Sequence, residues 1–205
     1  MTSNYPSELR DLFKASPDVT EAELRRLHDR LADSADAHRI LDVAYRTLDT
    51  PVGTLLLATT GTGLVRVAYE TEGHDRVLAT LAARISPRIL NVPKRLDAAA
   101  REIDEYFSGR RHSFDLPLDL SLSTGFRRMV LHHLSDIAYG HTASYAAVAA
   151  AAGNPRAVRA AATACATNPL PIVVPCHRVV RSDGSVGGYL GGPAAKQTLL
   201  RLEAA

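Results

Sequence analysis

Cys176 and His177 are the residues of this 205-residue chain whose types and setting most directly imply chemistry. They sit at the centre of the stretch PIVVPCHRVV, residues 171–180, with Arg178 directly after them. A thiol between a rigid proline and a His-Arg pair has electropositive surroundings, which lower a thiol pKa and populate the reactive thiolate. Cys176 is therefore a candidate nucleophile. The competing reading is a small buried hydrophobe at the end of an apolar run. Ile172, Val173 and Val174 read as a buried, strand-like segment stopped by Pro175. A metal site from Cys165, Cys176 and His177 fits no common zinc spacing, and Cys165 reads as helix packing.

The elements that must position this stretch lie on both sides of it. Upstream, Phe126, Val130, Leu134 and Ile137 share one stripe, which predicts a helix over 123–137. Ser144 caps a short helix through Ala152, and Gly153-Asn154-Pro155 supplies a turn, an N-cap and a first-turn proline for a helix from Pro155 to about Thr167. Two helices joined through a glycine turn make a helix-turn-helix candidate. Its second helix is alanine-rich and carries only Arg156 and Arg159 as charged residues, so it suits a minor-groove fit by shape and phosphate contact better than base readout. An arginine projecting from such a helix can fill the space left by an extruded base. Downstream, Val186–Gly192 is a glycine-rich loop able to approach a ligand, and a last helix runs from Pro193 to about Glu203.

The first half carries no comparable motif. Thr20-x-x-Glu23 is a capping box, followed by Leu24, Leu27 and Leu31 at helical spacing, so residues 1–40 read as a helical N-terminal extension that packs through this stripe. Val43, Tyr45 and Thr47 then alternate, a turn follows at 50–53, and strands over 55–59 and 64–69 complete a β-meander. Helices near 74–85 and 93–108 should cover one face of it, and Phe114, Leu116 and Leu118 read as a returning strand. Residues 41–120 thus form an α+β domain, a small antiparallel sheet with covering helices and nothing resembling a site. Residues 121–205 form a mostly α domain with the helix-turn-helix.

Composition narrows the class. A hydrophobic content of 46% is enough to bury a core, so disorder is not the default. Two cysteines give no disulfide framework and suit a reducing cytoplasm. The start has no basic n-region followed by an apolar stretch, and no apolar run approaches the roughly 18–20 residues of a membrane span. The expectation is a cytoplasmic protein without membrane contact. From residue 121 onward eight Lys and Arg face three Asp and Glu, whereas residues 1–120 carry sixteen against nineteen. The basic surplus accompanies the cysteine, which permits an anionic partner such as nucleic acid.

PCHRVV, preceded by Asn168-Pro169 and an arginine-bearing recognition helix and followed by a VGGY-type loop, resembles the O6-alkylguanine-DNA alkyltransferase family. The resemblance covers residues 42–203 and is strongest over 126–203. It implies a ribonuclease H-like N-terminal domain, no cofactor, and a monomer that binds alkylated double-stranded DNA through the minor groove. Whether several molecules bind one DNA cooperatively stays open. O6-methylguanine, and also O4-methylthymine, would be flipped from the duplex and demethylated in one turnover per protein molecule.

Carried onto this chain, the resemblance makes Cys176 the alkyl acceptor and His177 the base that deprotonates it through a water. Glu203 would orient His177, and Asn168 would bridge the recognition helix to the active turn. Tyr145 would contact the phosphate beside the flipped nucleotide, and Arg159 would be the finger that replaces it. Arg156, Ala157 and Ala160 would complete the DNA-facing surface. Tyr189 and the amides around Leu190 would hold the guanine O6, with Lys196 supporting Val174 and the pocket wall. The chain departs from the family in lacking tryptophan beside Val130-Leu131, in Ala161-Ala162 after the finger, in Leu190, and in lacking the N-terminal zinc ligands of some relatives. Two alternatives remain: a binding module that recognises alkylated DNA without chemistry, whose kind lacks the cysteine, and a Cys-His-Glu hydrolase unrelated to DNA.

Overall fold

The structure, a computed structural model, describes residues 20–38 and 40–204. The first helix, α1 (Glu21–Ala37), starts at the expected capping box: Glu23 N–H donates to Thr20 Oγ1 at 3.2 Å, and Thr20 N–H donates to Glu23 Oε2 at 2.9 Å. Its packing face differs from the expected one. Leu24, Leu27 and Leu31 are each more than half exposed, while Ala32 and Ala35 are buried with Leu41, Ala44 and Val92. His28 Nε2 lies 2.6 Å from the Asn91 carbonyl oxygen, so the helix is fixed to the sheet edge by its short side chains and one polar bond. The part of the expected extension before Thr20 lies outside the described residues.

The meander forms as expected. Strands β1 (Val43–Thr50) and β2 (Gly53–Thr59) pair antiparallel from Thr50↔Gly53 outward, and β2 pairs antiparallel with β3 (Leu64–Tyr69). After α2 (His74–Arg84), a three-residue strand β4 (Ile89–Asn91) adds a parallel edge to β1, giving the order β3-β2-β1-β4 and a mixed sheet. Because successive residues of a strand face opposite ways, Leu56 and Ala58 of β2 meet Val77 and Leu81 of α2. Leu55 and Leu57 share the other face with Ile103 and Tyr106 of α3 (Asp97–Phe107). The two helices therefore cover opposite faces, not one, and β2 is buried on both sides.

The expected return strand at 114–118 reduces to a single parallel bridge between Leu64 and Leu118. It is pinned where Leu64 N–H donates to the Pro117 carbonyl at 2.8 Å. The chain passes so close there that a Cβ on Gly63 (φ +152°) would lie 2.2 Å from the Pro117 carbonyl oxygen.

The C-terminal part comprises α4 (Gly125–Leu134), a two-residue strand β5 (Ala143–Ser144), α5 (Tyr145–Ala151), α6 (Val158–Ala166), β6 (Val179–Val180) and α7 (Gly192–Glu203). Ser144 caps α5 by accepting from Ala147 N–H at 3.1 Å. β5 pairs parallel with β6, which ties the start of the helix-turn-helix to the residues after Cys176. One core cluster joins Leu55 and Leu57 of the sheet to Val130, Val148, Ala161, Cys176 and Leu199. The candidate nucleophile therefore sits within the core that unites the two parts. Among the described residues, no helix is long and apolar enough to cross a membrane.

Candidate active site

Asn168 builds the turn that carries Cys176. Fully buried just beyond α6, it donates from Nδ2 to the Val174 carbonyl at 2.8 Å, and its Oδ1 accepts from Leu170 N–H at 2.9 Å. With Val174 N–H bonded back to the Leu170 carbonyl at 2.8 Å, residues 170–174 close into a compact turn, where the apolar run led us to expect an extended segment. Asparagine satisfies backbone groups that a strand would leave to a neighbour, so side-chain hydrogen bonding overrides β propensity here. Ile172 is held at φ +76°, a left-handed conformation that a β-branched residue adopts only under constraint. Pro175 leads into a 3-10 turn, Cys176–Arg178, which presents the thiol and imidazole inward.

His177 and Glu203, 26 residues apart, meet at the centre. His177 Nε2 lies 2.8 Å from Glu203 Oε1, and both side chains are buried. Arg178 clasps the same carboxylate, Nε to Oε2 and Nη2 to Oε1, each at 2.9 Å. The Tyr106 hydroxyl donates to Oε1 at 2.7 Å, and Gly140 N–H donates to Oε2 at 3.2 Å. Desolvation pushes the Glu203 carboxyl up, but the bonds from His177, Arg178 and Tyr106 outweigh it and bring it to about 2. Glu203 is thus a buried anion at neutral pH. Burial lowers the His177 pKa despite the opposing pull of Glu203, so the imidazole is neutral. Facing a carboxylate, Nε2 must carry the hydrogen, which leaves Nδ1 as the acceptor. Nδ1 is buried and has no hydrogen-bond partner among the described residues.

The thiol itself departs from expectation. Cys176 is 2% exposed, and burial pushes it up to about 11, with the Asn168 amide and the Lys196 cation only partly offsetting the rise. Desolvation therefore outweighs the electropositive neighbours that the sequence suggested would lower it. Lys196, also buried, donates from Nζ to the Val179 carbonyl at 2.6 Å. It supports the strand after the active turn and not Val174, whose carbonyl Asn168 occupies. Cys165 is buried on α6, its thiol raised to about 12 by desolvation, and serves as packing.

The N-terminal part contributes side chains where the sequence showed no site. Besides Tyr106, Tyr69 at the end of β3 places its hydroxyl 2.9 Å from that of Tyr189 in the glycine-rich loop. The loop runs so close to Tyr69 that a Cβ on Gly191 would lie 2.6 Å from its ring, and one on Gly187 would lie 2.9 Å from the Tyr145 hydroxyl. Tyr189 is 6.4 Å from the His177 ring, centroid to centroid, and Leu190 follows it half-buried. A buried tyrosine needs a partner for its hydroxyl. That requirement was the only signal in the sequence for Tyr69 and Tyr106.

The helix-turn-helix lies on the outside of the same core. α6 begins at Val158, three residues later than expected, because Pro155 and Arg156 form a turn ahead of it and Ala157 is its N-cap. Arg156, Arg159 and Ala160 are exposed, while Ala157 and Tyr145 are half-buried. Among the described residues, neither Arg156 nor Arg159 has a side-chain hydrogen bond or ion pair, so both guanidinium groups face solvent. Ala161, Ala164 and Cys165 pack inward from the same helix. No group of three or more His, Cys, Asp or Glu is gathered for a metal ion among the described residues.

Residues 43–120 match the family model described as 6-O-methylguanine DNA methyltransferase, ribonuclease-like domain, and residues 125–205 match its DNA binding domain. A methylated-DNA–protein-cysteine methyltransferase of Methanosarcina barkeri is 38% identical over 159 residues, covering 78% of this chain and 96% of that protein. The bifunctional transcriptional activator/DNA repair enzyme Ada of Escherichia coli is 38% identical over 80% of this chain and 46% of its own. The crystal structure of Mycobacterium tuberculosis OGT in complex with DNA is similar with a TM-score of 0.69 at 36% identity, covering 78% of this chain and 92% of that one.

Proposed function

The chain belongs to the 6-O-methylguanine DNA methyltransferase family, and from that premise we propose that it flips O6-alkylguanine out of duplex DNA and transfers the alkyl group irreversibly to Cys176. O6-methylguanine is the principal substrate of this reading, with O4-methylthymine as a second. One observation carries it: His177 commits Nε2 to an ionised Glu203 and keeps an unpartnered acceptor, Nδ1, in the interior that also holds a protonated thiol.

The thiol needs a base, since burial keeps it protonated. Its proton passes through a water to Nδ1, and the imidazolium that forms is stabilised by Glu203. The sulfur then attacks the alkyl carbon. A carbon–sulfur bond forms as the carbon–O6 bond breaks, and the bond's electron pair leaves with the guanine. Tyr189 and the amides around Leu190 hold O6 and stabilise the developing charge in a dry site. Asn168 keeps the active turn in place for this step. The product is a thioether, which no group in the site is equipped to hydrolyse, so each molecule acts once.

Recognition falls to the outer face. Arg159 enters the duplex in place of the flipped nucleotide, and Tyr145 meets the adjoining phosphate. Arg156, Ala157 and Ala160 lie along the minor groove, where short side chains permit close approach. Residues 121–205 supply this surface and the nucleophile, 41–120 form the α+β domain behind them, and the helix Glu21–Ala37 belongs to a segment added ahead of that domain. The protein works as a monomer on this reading.

The test is an intact-mass measurement after incubation with an O6-methylguanine oligonucleotide. The expected result is one methyl-for-hydrogen increment, mapped to Cys176, retained in Cys165→Ser and lost in Cys176→Ser. Tight binding with no increment would overturn transfer in favour of recognition alone.

A further inference from the structure

We propose that Tyr106, delivered from α3 of the N-terminal part, is a positioning residue of the relay: its hydroxyl holds Glu203 in place and sets the hydrogen on His177. The inference rests on the alkyl-transfer reading of the site. Tyr106 is fully buried, and its hydroxyl lies 2.7 Å from Glu203 Oε1 and 3.4 Å from His177 Nε2. That oxygen is the one His177 Nε2 uses, so imidazole and phenol share a single acceptor atom. The geometry settles who donates. With Nε2–H directed at the carboxylate, Glu203 is the one acceptor for the phenol hydrogen among the described residues.

The ring is clamped as firmly as the hydroxyl. Its centroid lies 5.4 Å from those of both Phe107 and Phe114 and 6.2 Å from that of Tyr139. Burial and the Glu203 charge push the Tyr106 pKa upward, so it is a neutral donor at neutral pH. A neutral donor on Oε1 draws charge from the oxygen that faces His177. It weakens the carboxylate's hold on the imidazolium and keeps the imidazole neutral, with Nδ1 free. Other charged or titratable groups face His177: Arg178 beside it, Lys196 from α7, Tyr189 from the glycine-rich loop and the Cys176 thiol. Of these, the two cations oppose a charged imidazole, and on this proposal Tyr106 acts in the same sense through Glu203.

The decisive experiment compares the pH dependence of alkyl transfer in wild-type protein and in Tyr106→Phe, which removes the hydroxyl and retains the ring. Without the donor, Glu203 binds the imidazolium more tightly, so the acid limb of the rate profile should move to higher pH by about one unit, the ionisation change one hydrogen bond to a charged group brings. At pH values on the acid limb the rate should fall by about tenfold, the change in neutral imidazole that a one-unit shift brings, whereas well above the limb it should change little. Phe114→Leu, which disturbs the ring's packing and touches no relay group, should lower the unfolding midpoint without moving the acid limb. Tyr106→Leu, lacking ring and hydroxyl, should share the shift of Tyr106→Phe. An acid limb unmoved in both Tyr106 variants overturns the inference while leaving the transfer reading intact. A wild-type protein that takes no methyl group on Cys176 overturns the relay and this inference with it.

Discussion

Replacing Glu203 with glutamine tests how the buried charges are balanced. Five donors converge on its carboxylate, from His177, Tyr106, the Nε and Nη2 of Arg178, and the Gly140 amide. Glutamine keeps the shape, loses the charge and turns one oxygen into an NH₂ facing a donor. Arg178, 6% exposed, then keeps its Nη1 bond to the Ile137 carbonyl at 2.6 Å and one of its two bonds to residue 203, but loses the other and its counter-charge. Removing one member of a buried ion pair costs about 3–5 kcal/mol because the other is left uncompensated. Against a typical domain stability of about 5–15 kcal/mol, this is a large share. Urea unfolding of both proteins measures it, with the slope checked for constancy. Arg178→Met combined with Glu203→Gln should cost at least about 2 kcal/mol less than the sum of the single changes, since both charges then leave together. Acid unfolding adds a sign test. Glu203 is depressed from its ordinary 4.5 to about 2, so its contribution is complete above pH 4.5 and is lost as the pH falls toward 2. Glu203→Gln should lack this part of the acid loss. A single-variant cost below about 1 kcal/mol, the level of an exposed pair, or strict additivity in the double variant would refute the assignment of Glu203 as the counter-charge of Arg178.

Two further outcomes follow from the same structure. Asn168→Ala strands the buried Val174 carbonyl and Leu170 amide, each at about 1–3 kcal/mol, and frees Ile172 from φ +76°. A drop of about 2–4 kcal/mol in unfolding free energy is expected, and an unchanged midpoint would show that the turn does not depend on it. Arg159→Ala should slow repair of duplex DNA at least about tenfold more than transfer from free O6-benzylguanine, because only the duplex requires extrusion. Equal losses on both substrates would remove Arg159 from the finger role.

The sequence was most legible where local chemistry decides. The capping box at Thr20, the turn at 50–53, the Ser144 cap and the strands of the meander all lie where their residues place them. It misled where polar side chains or distant surfaces compete with pattern. Ile172–Val174 has the composition of a strand, yet Asn168 satisfies its backbone and folds it into a turn. Leu24, Leu27 and Leu31 form the obvious stripe of α1, yet the helix docks by Ala32 and Ala35, whose small side chains admit the sheet edge. The pairing of Tyr106 with Glu203 spans 97 residues and that of Tyr69 with Tyr189 spans 120, so no window of sequence contains either. The thiol pKa is hidden from the sequence for a related reason: neighbouring cations are visible in a sequence, whereas complete desolvation is a property of the assembled core.

That desolvation alters how the nucleophile should be understood. With its pKa pushed up to about 11 by burial, Cys176 is held protonated at neutral pH. Exposed low-pKa cysteines are the ones most readily oxidised, so a thiol held neutral in the core is protected while it waits. A high-pKa sulfur is also intrinsically the stronger nucleophile once its proton is gone. Both advantages require a base that acts on demand, a role that the proposed mechanism gives to Nδ1 of His177 and that it can fill only while the imidazole is neutral. Arg178 and Tyr106 keep Glu203 charged and occupied, and burial keeps His177 unprotonated. On the alkyl-transfer reading proposed above, a reagent used once would thereby be stored inert, with the carboxylate cluster behind it, drawn from both parts of the chain, holding the base in readiness.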